Sequence, residues 1–318
     1  MSIFFKTMNV IEVKNLVKKF PSSDKKGELK AVNNISFTVG QGEIFGLLGP
    51  NGAGKTTTLE IIEGLQEPSS GQTFIKGIDT HRELVKVKEF IGIQLQSSAY
   101  YEYLRLGEIL ALFGRIYQKS LEPDRLLNIV GLQDKKQSLI KHLSGGQQQR
   151  FSICASLVND PEIVFLDEPT TGLDPQARRL MWEFIKKINK EGKTIVLTTH
   201  YMEEAQYLCR RVGIMDEGKI VAMDTPRNLI NNLKSSARIH FNTEVTFDIK
   251  TLENLSGVIS VNRYNNHTYH LKVTKGNEVL PHLYKWADTH HVFMQDLEVI
   301  SANLEDVFIA LTGKELRE

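Results

Sequence analysis

Gly49-Pro-Asn-Gly-Ala-Gly-Lys55-Thr56-Thr57 decides how the chain is read. The string fits GxxxxGK[ST] and follows Glu43-Ile-Phe-Gly-Leu-Leu48, an apolar run with the pattern of a buried strand. Gly49, Gly52 and Gly54 let the backbone turn tightly, so that successive N–H groups point inward at phosphate oxygens. Pro50, Asn51 and Ala53 complete the loop, and a helix from about Lys55 to Gly64 adds its positive N-terminal end. In such a loop the Lys55 ammonium reaches the β- and γ-phosphates, the Thr56 hydroxyl ligates Mg²⁺, and Thr57 closes the motif. The plain alternative is a glycine-rich strand–helix turn with no ligand. That reading leaves the correct strand before the loop and helix after it as coincidence.

Ile163-Val-Phe-Leu-Asp167-Glu168 is a second apolar strand, ending in two carboxylates. Alone, it would read equally well as a solvated strand end. Beside a phosphate loop, Asp167 is the carboxylate that holds Mg²⁺, and Glu168 is placed to accept a proton from the attacking water. Thr194-Ile-Val-Leu-Thr198 is another core strand, and His200 follows its end. A neutral imidazole there can hydrogen-bond a γ-phosphate and sense its loss.

Further segments carry a family resemblance. Leu143-Ser144-Gly145-Gly146-Gln147 resembles the LSGGQ signature of ABC ATPases, and Glu168-Pro-Thr-Thr-Gly-Leu-Asp174 resembles the segment joining the second carboxylate to that family's D-loop. Gln96 resembles the Q-loop glutamine, a Mg²⁺ ligand, and His200 the switch histidine. Phe20, ending Leu16-Val-Lys-Lys-Phe20, stands where the family places an adenine-stacking aromatic, with phenylalanine in place of the usual tyrosine. The resemblance covers about residues 9–230 and implies a P-loop NTPase fold of the ABC type that hydrolyses ATP with Mg²⁺. It also implies that each signature caps the γ-phosphate held by a second copy. One P-loop and one signature per chain then call for a head-to-tail dimer, homo- or heteromeric. Ser144 is in addition a natural N-cap, which makes the signature a second anion-binding helix end.

Residues 9–230 read as one α/β domain with a helical subdomain inserted at about 97–160, where Ile109, Leu110, Leu112, Phe113, Ile116, Leu126, Leu127 and Val130 recur with helical spacing. Asp174-Pro175 starts a helix that Gly192 ends, and two strands, Arg211 to Met215 and Lys219 to Met223, meet at Glu217-Gly218. From 234 to 318 the pattern is that of a small α+β accessory domain. Ile239, Phe241, Val245, Phe247 and Ile249 suggest a strand or two, and a hairpin is expected around Asn265-Asn266. Helices are expected at Pro281 to Trp286 and Asn303 to Leu311. The order read is strand, strand, strand, helix, strand, helix.

Composition narrows the function. The 318 residues carry a net charge of +1 with 24% charged and 41% hydrophobic residues, which excludes a disordered chain and gives no basic field for nucleic acid. Cys154 and Cys209 form no CxxC pair, so a disulfide framework or cysteine-rich metal site is not expected, and a reduced, intracellular chain is the plain reading. His290-His291 reads as a solvated loop. No apolar run is long enough to span a bilayer, and either Met1 or Met8 can be the start. Members of the resembled family that are not transporters carry two nucleotide domains or long coiled coils between P-loop and signature; this chain shows neither, so the resemblance implies a transporter's ATPase subunit on the cytoplasmic face of the membrane. Leu304-Glu-Asp-Val-Phe308-Ile-Ala-Leu-Thr-Gly313 resembles the ending of ABC-2-type, daunorubicin-resistance ATPases. That resemblance implies export of a drug-like or lipophilic substrate through a separately encoded ABC-2 permease. Exporters of ions, heme or polysaccharide, or a soluble ATPase acting on a protein or nucleic acid, are the alternatives. Tyr100, Tyr101, Tyr103 and Leu104 suit a protein interface, where the resemblance implies that a short helix of the permease docks, or else they pack the subdomain.

Overall fold

A computed structural model of the chain describes residues 8–21, 27–95, 100–233, 235, 237–265 and 267–314. Two compact units result, Met1–Thr225 and Pro226–Glu318.

The first unit is built on two sheets. Strands β1 (Asn9–Pro21) and β2 (Glu28–Gly40) pair antiparallel and open a four-stranded sheet, which β4 (Ser70–Ile75) and β5 (Ile78–Asp79) complete in the order β2-β1-β4-β5. Between them in sequence come β3 (Ile44–Leu48) and α1 (Lys55–Ile62). After α2 (Leu84–Lys88) follow β6 (Ile91–Gln94), α3 (Leu106–Gly114), α4 (Pro123–Ile129), α5 (Gly145–Ser156) and β7 (Ile163–Asp167). Then come α6 (Pro175–Lys190), β8 (Thr194–Thr199), α7 (Met202–Leu208), β9 (Arg211–Asp216) and β10 (Lys219–Asp224). The second sheet has the order β10-β9-β3-β8-β7-β6. It is parallel except for β10, which returns through a turn with Glu217 at φ 47° and Gly218 at φ 76°. That conformation suits a two-residue hairpin.

Strands β3, β7 and β8 are buried along their whole length, which is why they read as unbroken apolar runs. The core lies where the antiparallel sheet, α1 and one face of the parallel sheet meet, with Phe37 stacked on Phe45 at 5.2 Å. Strands β3, β7 and β8 end side by side: Leu48 lies opposite Thr199, and Asp167 opposite Thr198. Loops leaving the carboxyl ends of parallel strands form the usual ligand crevice of such sheets.

In the helical stretch, Ile109 and Leu110 are buried, but Leu112 and Ile116 are exposed. The helical spacing expected through Ile116 breaks because α3 stops at Gly114. Tyr100 packs edge-on to Phe151 at 5.3 Å and beside Phe113 at 6.4 Å, whereas Tyr101 and Tyr103 are exposed.

The second unit starts earlier than the change of texture near residue 234 suggests. Helix α8 (Pro226–Asn231) packs against α11 (Leu304–Thr312) inside it, with Leu229, Val307 and Phe308 buried. Between them run β11 (Ala237–Asn242), α9 (Lys250–Glu253), β12 (Val258–Arg263), β13 (Thr268–Val273), α10 (Gly276–Thr289) and β14 (Gln295–Ser301). The sheet order β12-β13-β11-β14 is that of a split β-α-β unit. Two expectations are corrected here. Val245 to Ile249 is not a strand: the Asp248 side chain accepts from the Lys250 amide and turns the chain into α9, while Phe247 stacks on Tyr269 at 4.5 Å as a loop residue. The expected strand pair is thus a strand and a short helix. Helix α10 begins at Gly276 and carries Pro281 inside it, rather than starting at that proline. In the hairpin, Asn265 Oδ1 accepts from the His267 and Thr268 amides; Asn266 lies outside the described residues.

Candidate nucleotide site

The loop between β3 and α1 is pre-shaped by its glycines. Gly54 caps α1 at φ 97°, and a Cβ there would sit 2.1 Å from the Ala31 carbonyl oxygen. A Cβ on Gly49 would meet the Met215 carbonyl oxygen at 2.3 Å. No side chain caps α1, so its first N–H groups face the loop without an internal acceptor. Such amides can receive an anion.

Lys55 is almost wholly buried, and its Nζ donates to the Gly49 and Pro50 carbonyls at 2.8 and 3.0 Å. It lies 3.6 Å from Glu168 Oε1. Burial lowers its pKa, and the carboxylates of Glu168 and Asp167 oppose that shift. The Thr56 hydroxyl donates to Asp167 Oδ1 at 3.2 Å, and the Thr198 hydroxyl donates to the same oxygen. Burial raises the Asp167 pKa; the two hydroxyls hold it down, and Glu168 adds repulsion. A hydroxyl and a carboxylate at this spacing are a hard-oxygen pair that fits Mg²⁺.

Glu168 is nearly buried and holds a left-handed backbone at φ 48°, a conformation that costs a side-chain-bearing residue about 1–2 kcal/mol. Its amide donates to Thr198 Oγ1 at 3.0 Å, and Thr171 Oγ1 donates to its Oε2 at 3.0 Å. His200 Nδ1 lies 3.3 Å from that same Oε2. One carboxylate oxygen thus faces the ammonium and the other faces the imidazole. A carboxylate so held can take a proton from water, and its two neighbours can steady the charge.

The structure brings Gly49 to Thr57, Asp167, Glu168 and His200 together at the ends of three adjacent strands. Ser144, Gly145, Gly146, Gln147 and Asp174 form a separate group. Ser144 Oγ accepts from the Gln147 amide at 3.4 Å and Gln147 Oε1 from the Ser144 amide at 2.9 Å, a reciprocal cap on α5. Asp174 caps α6 by accepting from the Ala177 amide at 2.9 Å. The two helix starts border one cleft, with Gly172 and Leu173 between them. Phe20 lies at the end of β1, half-buried, with the Lys18 ammonium 5.1 Å from its ring centre. It pairs with Leu29 of β2, two residues before Ala31, whose carbonyl abuts Gly54. Gln96 lies outside the described residues.

Sequence reasoning missed Thr198, which holds both Asp167 and the Glu168 amide, and Glu204 in α7. Glu204 is fully buried; its Oε1 accepts from Thr170 at 2.8 Å and from the Trp182 indole at 3.0 Å. Burial raises its pKa against the hydrogen bonds of Thr199, Thr170 and Trp182 and the charge of Arg178. A signal existed: Glu204 shares the buried face of α7 with Ala205 and Leu208.

Residues 32–171 match the family model described as ABC transporter. The linearmycin resistance ATP-binding protein LnrL of Bacillus subtilis is 36% identical over 92% of this chain and 96% of that protein. The Nod factor export ATP-binding protein I of Paraburkholderia xenovorans is 36% identical over 92% of this chain and 95% of its own length. Among solved structures, a dimeric post-hydrolysis state of the ATP-binding cassette MJ0796 bound to ADP and Pi is similar at TM-score 0.61 and 28% identity. It covers 68% of this chain and 98% of that one.

Proposed function

The chain belongs to the ATP-binding subunits of ABC transporters, and on that premise we propose that it energises export of a drug-like or lipophilic substrate through a separately encoded ABC-2-type permease. ABC ATPase domains form dimers and pair with membrane subunits. Here the pairing is head-to-tail, with the Ser144–Gln147 helix start and Asp174 of one copy closing over the P-loop of the other. No described helix is long and apolar enough to cross a membrane, and the proposed place of action is peripheral, on the cytoplasmic face. The relatives named for linearmycin resistance and Nod factor export support an exporter.

The observation that carries the mechanism is Glu168, poised between Lys55 at 3.6 Å and His200 at 3.3 Å. Lys55 and the loop amides bind and orient the phosphates of ATP. Thr56 and Asp167, with Gln96, are the residues that would hold Mg²⁺, which neutralises phosphate charge when bound. Glu168 takes the proton of the attacking water, and His200 orients the γ-phosphate side of the site. Phe20 stacks on the adenine. Exposed Tyr101 and Tyr103 offer amphipathic rings to a helix of the permease, while Tyr100 anchors them to the helical stretch.

The test is Glu168→Gln. Turnover should fall by about 10²-fold or more while ATP still binds, the usual scale for a positioned proton acceptor. The variant should accumulate as a dimer with ATP and revert with ADP, read by light scattering. Normal steady-state hydrolysis would sink the assignment.

A further inference from the structure

Glu204 sits in the first turn of α7, four residues after His200, with no exposed surface. Its Oε1 gathers two donors from distant parts of the chain. Thr170 lies two residues after Glu168, and Trp182 lies in α6, the helix that Asp174 caps. Its Oε2 makes no hydrogen bond of normal geometry among the described residues, although the Thr199 hydroxyl lies close enough to favour the ionised form. One carboxyl therefore joins three segments that approach the phosphate site separately: the Glu168 turn, the Asp174 helix and the His200 strand end.

Each of those segments needs a fastening. The left-handed backbone at Glu168 persists only where its surroundings over-determine it. Thr170 is fully buried, its hydroxyl is held by Glu204, and its carbonyl accepts from the Leu173 amide at 3.2 Å, which carries the constraint on toward Asp174. On the other side, the Tyr201 amide donates to Thr199 Oγ1 at 2.9 Å. The Tyr201 ring stands 4.1 Å from that of His200 and 3.9 Å from the Arg178 guanidinium of α6. Glu204 closes the circuit from inside.

We propose that Glu204 is a positioning residue for hydrolysis: its buried carboxyl fastens the Glu168 turn to the His200 segment, so that the two side chains keep their 3.3 Å spacing through turnover. The proposal rests on the roles given to Glu168 and His200 above.

The experiment measures kcat and KM for Mg²⁺-ATP on the full chain, at a temperature where every variant is folded by circular dichroism. Thr170→Val deletes one hydroxyl and keeps the side-chain shape. Glu204→Met keeps size and removes both acceptor oxygens. Both should lower kcat about tenfold or more with KM changed by less than about threefold, the pattern of an interaction needed in the transition state alone. Thr170→Ser, which restores the hydroxyl, should return kcat to within about threefold of the parent. An unchanged kcat in Thr170→Val overturns the proposal, as does failure of Thr170→Ser to recover it. Loss of activity only in proportion to unfolded protein also overturns it. Where Glu204→Met does not fold, the Thr170 pair decides alone. Glu168→Gln is run alongside. Normal turnover there removes the reading beneath the proposal, whereas blocked turnover there with unaffected Thr170→Val removes only the positioning role.

Discussion

Two glycine-rich helix starts in this chain look alike in sequence and differ in physics. At the start of α1, Gly54 stands at φ 97° with backbone pressed against the place of its missing side chain, and no side chain caps the helix. At the start of α5, a Cβ on Gly145 would meet nothing within 4 Å, and Ser144 with Gln147 caps the helix. The first site is shaped by its own fold and leaves its amides for a ligand. The second is open on its outer side, and the Ser144 side chain already satisfies one of its first amides, that of Gln147. Glycine thus serves conformation at one helix start and access at the other.

The sharpest way to break this comparison is to add one methyl group at each site. Gly54→Ala should abolish ATP binding and destabilise the first unit by at least about 2 kcal/mol, because a positive φ and a backbone clash coincide. Gly145→Ala should leave folding and ATP binding by the monomer unchanged and weaken only the ATP-dependent dimer. Calorimetry of both variants, with light scattering of the second, checks the pair. Equal effects would erase the distinction.

A middle-sized effect lies at the far end of α1. Burial pushes the Glu63 carboxyl up to about 8 from an ordinary 4.5, helped by Asp167 and Glu60. A carboxyl raised in the folded state contributes stability below pH 4.5 and loses it as the pH climbs through 8. Melting temperature should therefore fall between pH 5 and pH 8. Glu63→Gln should flatten that slope by roughly 1–3 kcal/mol, leaving the smaller contributions of Asp167 and Glu60. An unaltered slope in the variant would show that Glu63 is not the group responsible.

The smallest effect belongs to the signature helix. Ser144→Ala removes the cap and should cost about 1 kcal/mol, a few degrees in melting temperature. ATP binding by the monomer should be untouched. A larger loss would mean that this helix start, like the first, is part of the chain's own core.

What could be read in advance follows from where each residue stands. Asp167 ends one apolar strand with Glu168 directly after it, His200 follows another, and Lys55 opens the helix after the glycine-rich loop, so strand pattern and motif together single them out. Glu204 shows in advance only as a carboxyl on the apolar face of α7; its donors Thr170 and Trp182 are far off in sequence and meet it only in the packed interior. The misread pieces are local. Alternation from Val245 to Ile249 resembles a strand until one Asp248 hydrogen bond turns the chain. Pro281 resembles a helix start because proline fits a first turn so well, yet α10 tolerates it one turn further in. The division after Thr225 is invisible to composition, because it depends on which partner α8 packs against.

Both cysteines are buried, and burial pushes both thiols well above their usual range; Cys209 Sγ occupies the space a side chain at Gly46 would need. Since the thiolate is the reactive species, the two native thiols are poor targets for thiol-directed oxidants and alkylating reagents at neutral pH. A cysteine introduced at exposed Asn51 and another at exposed Ser144 would then be the only pair able to cross-link. A covalent two-chain species that forms with ATP, and requires both substitutions, would report the orientation of the dimer with no background from the protein's own sulfur.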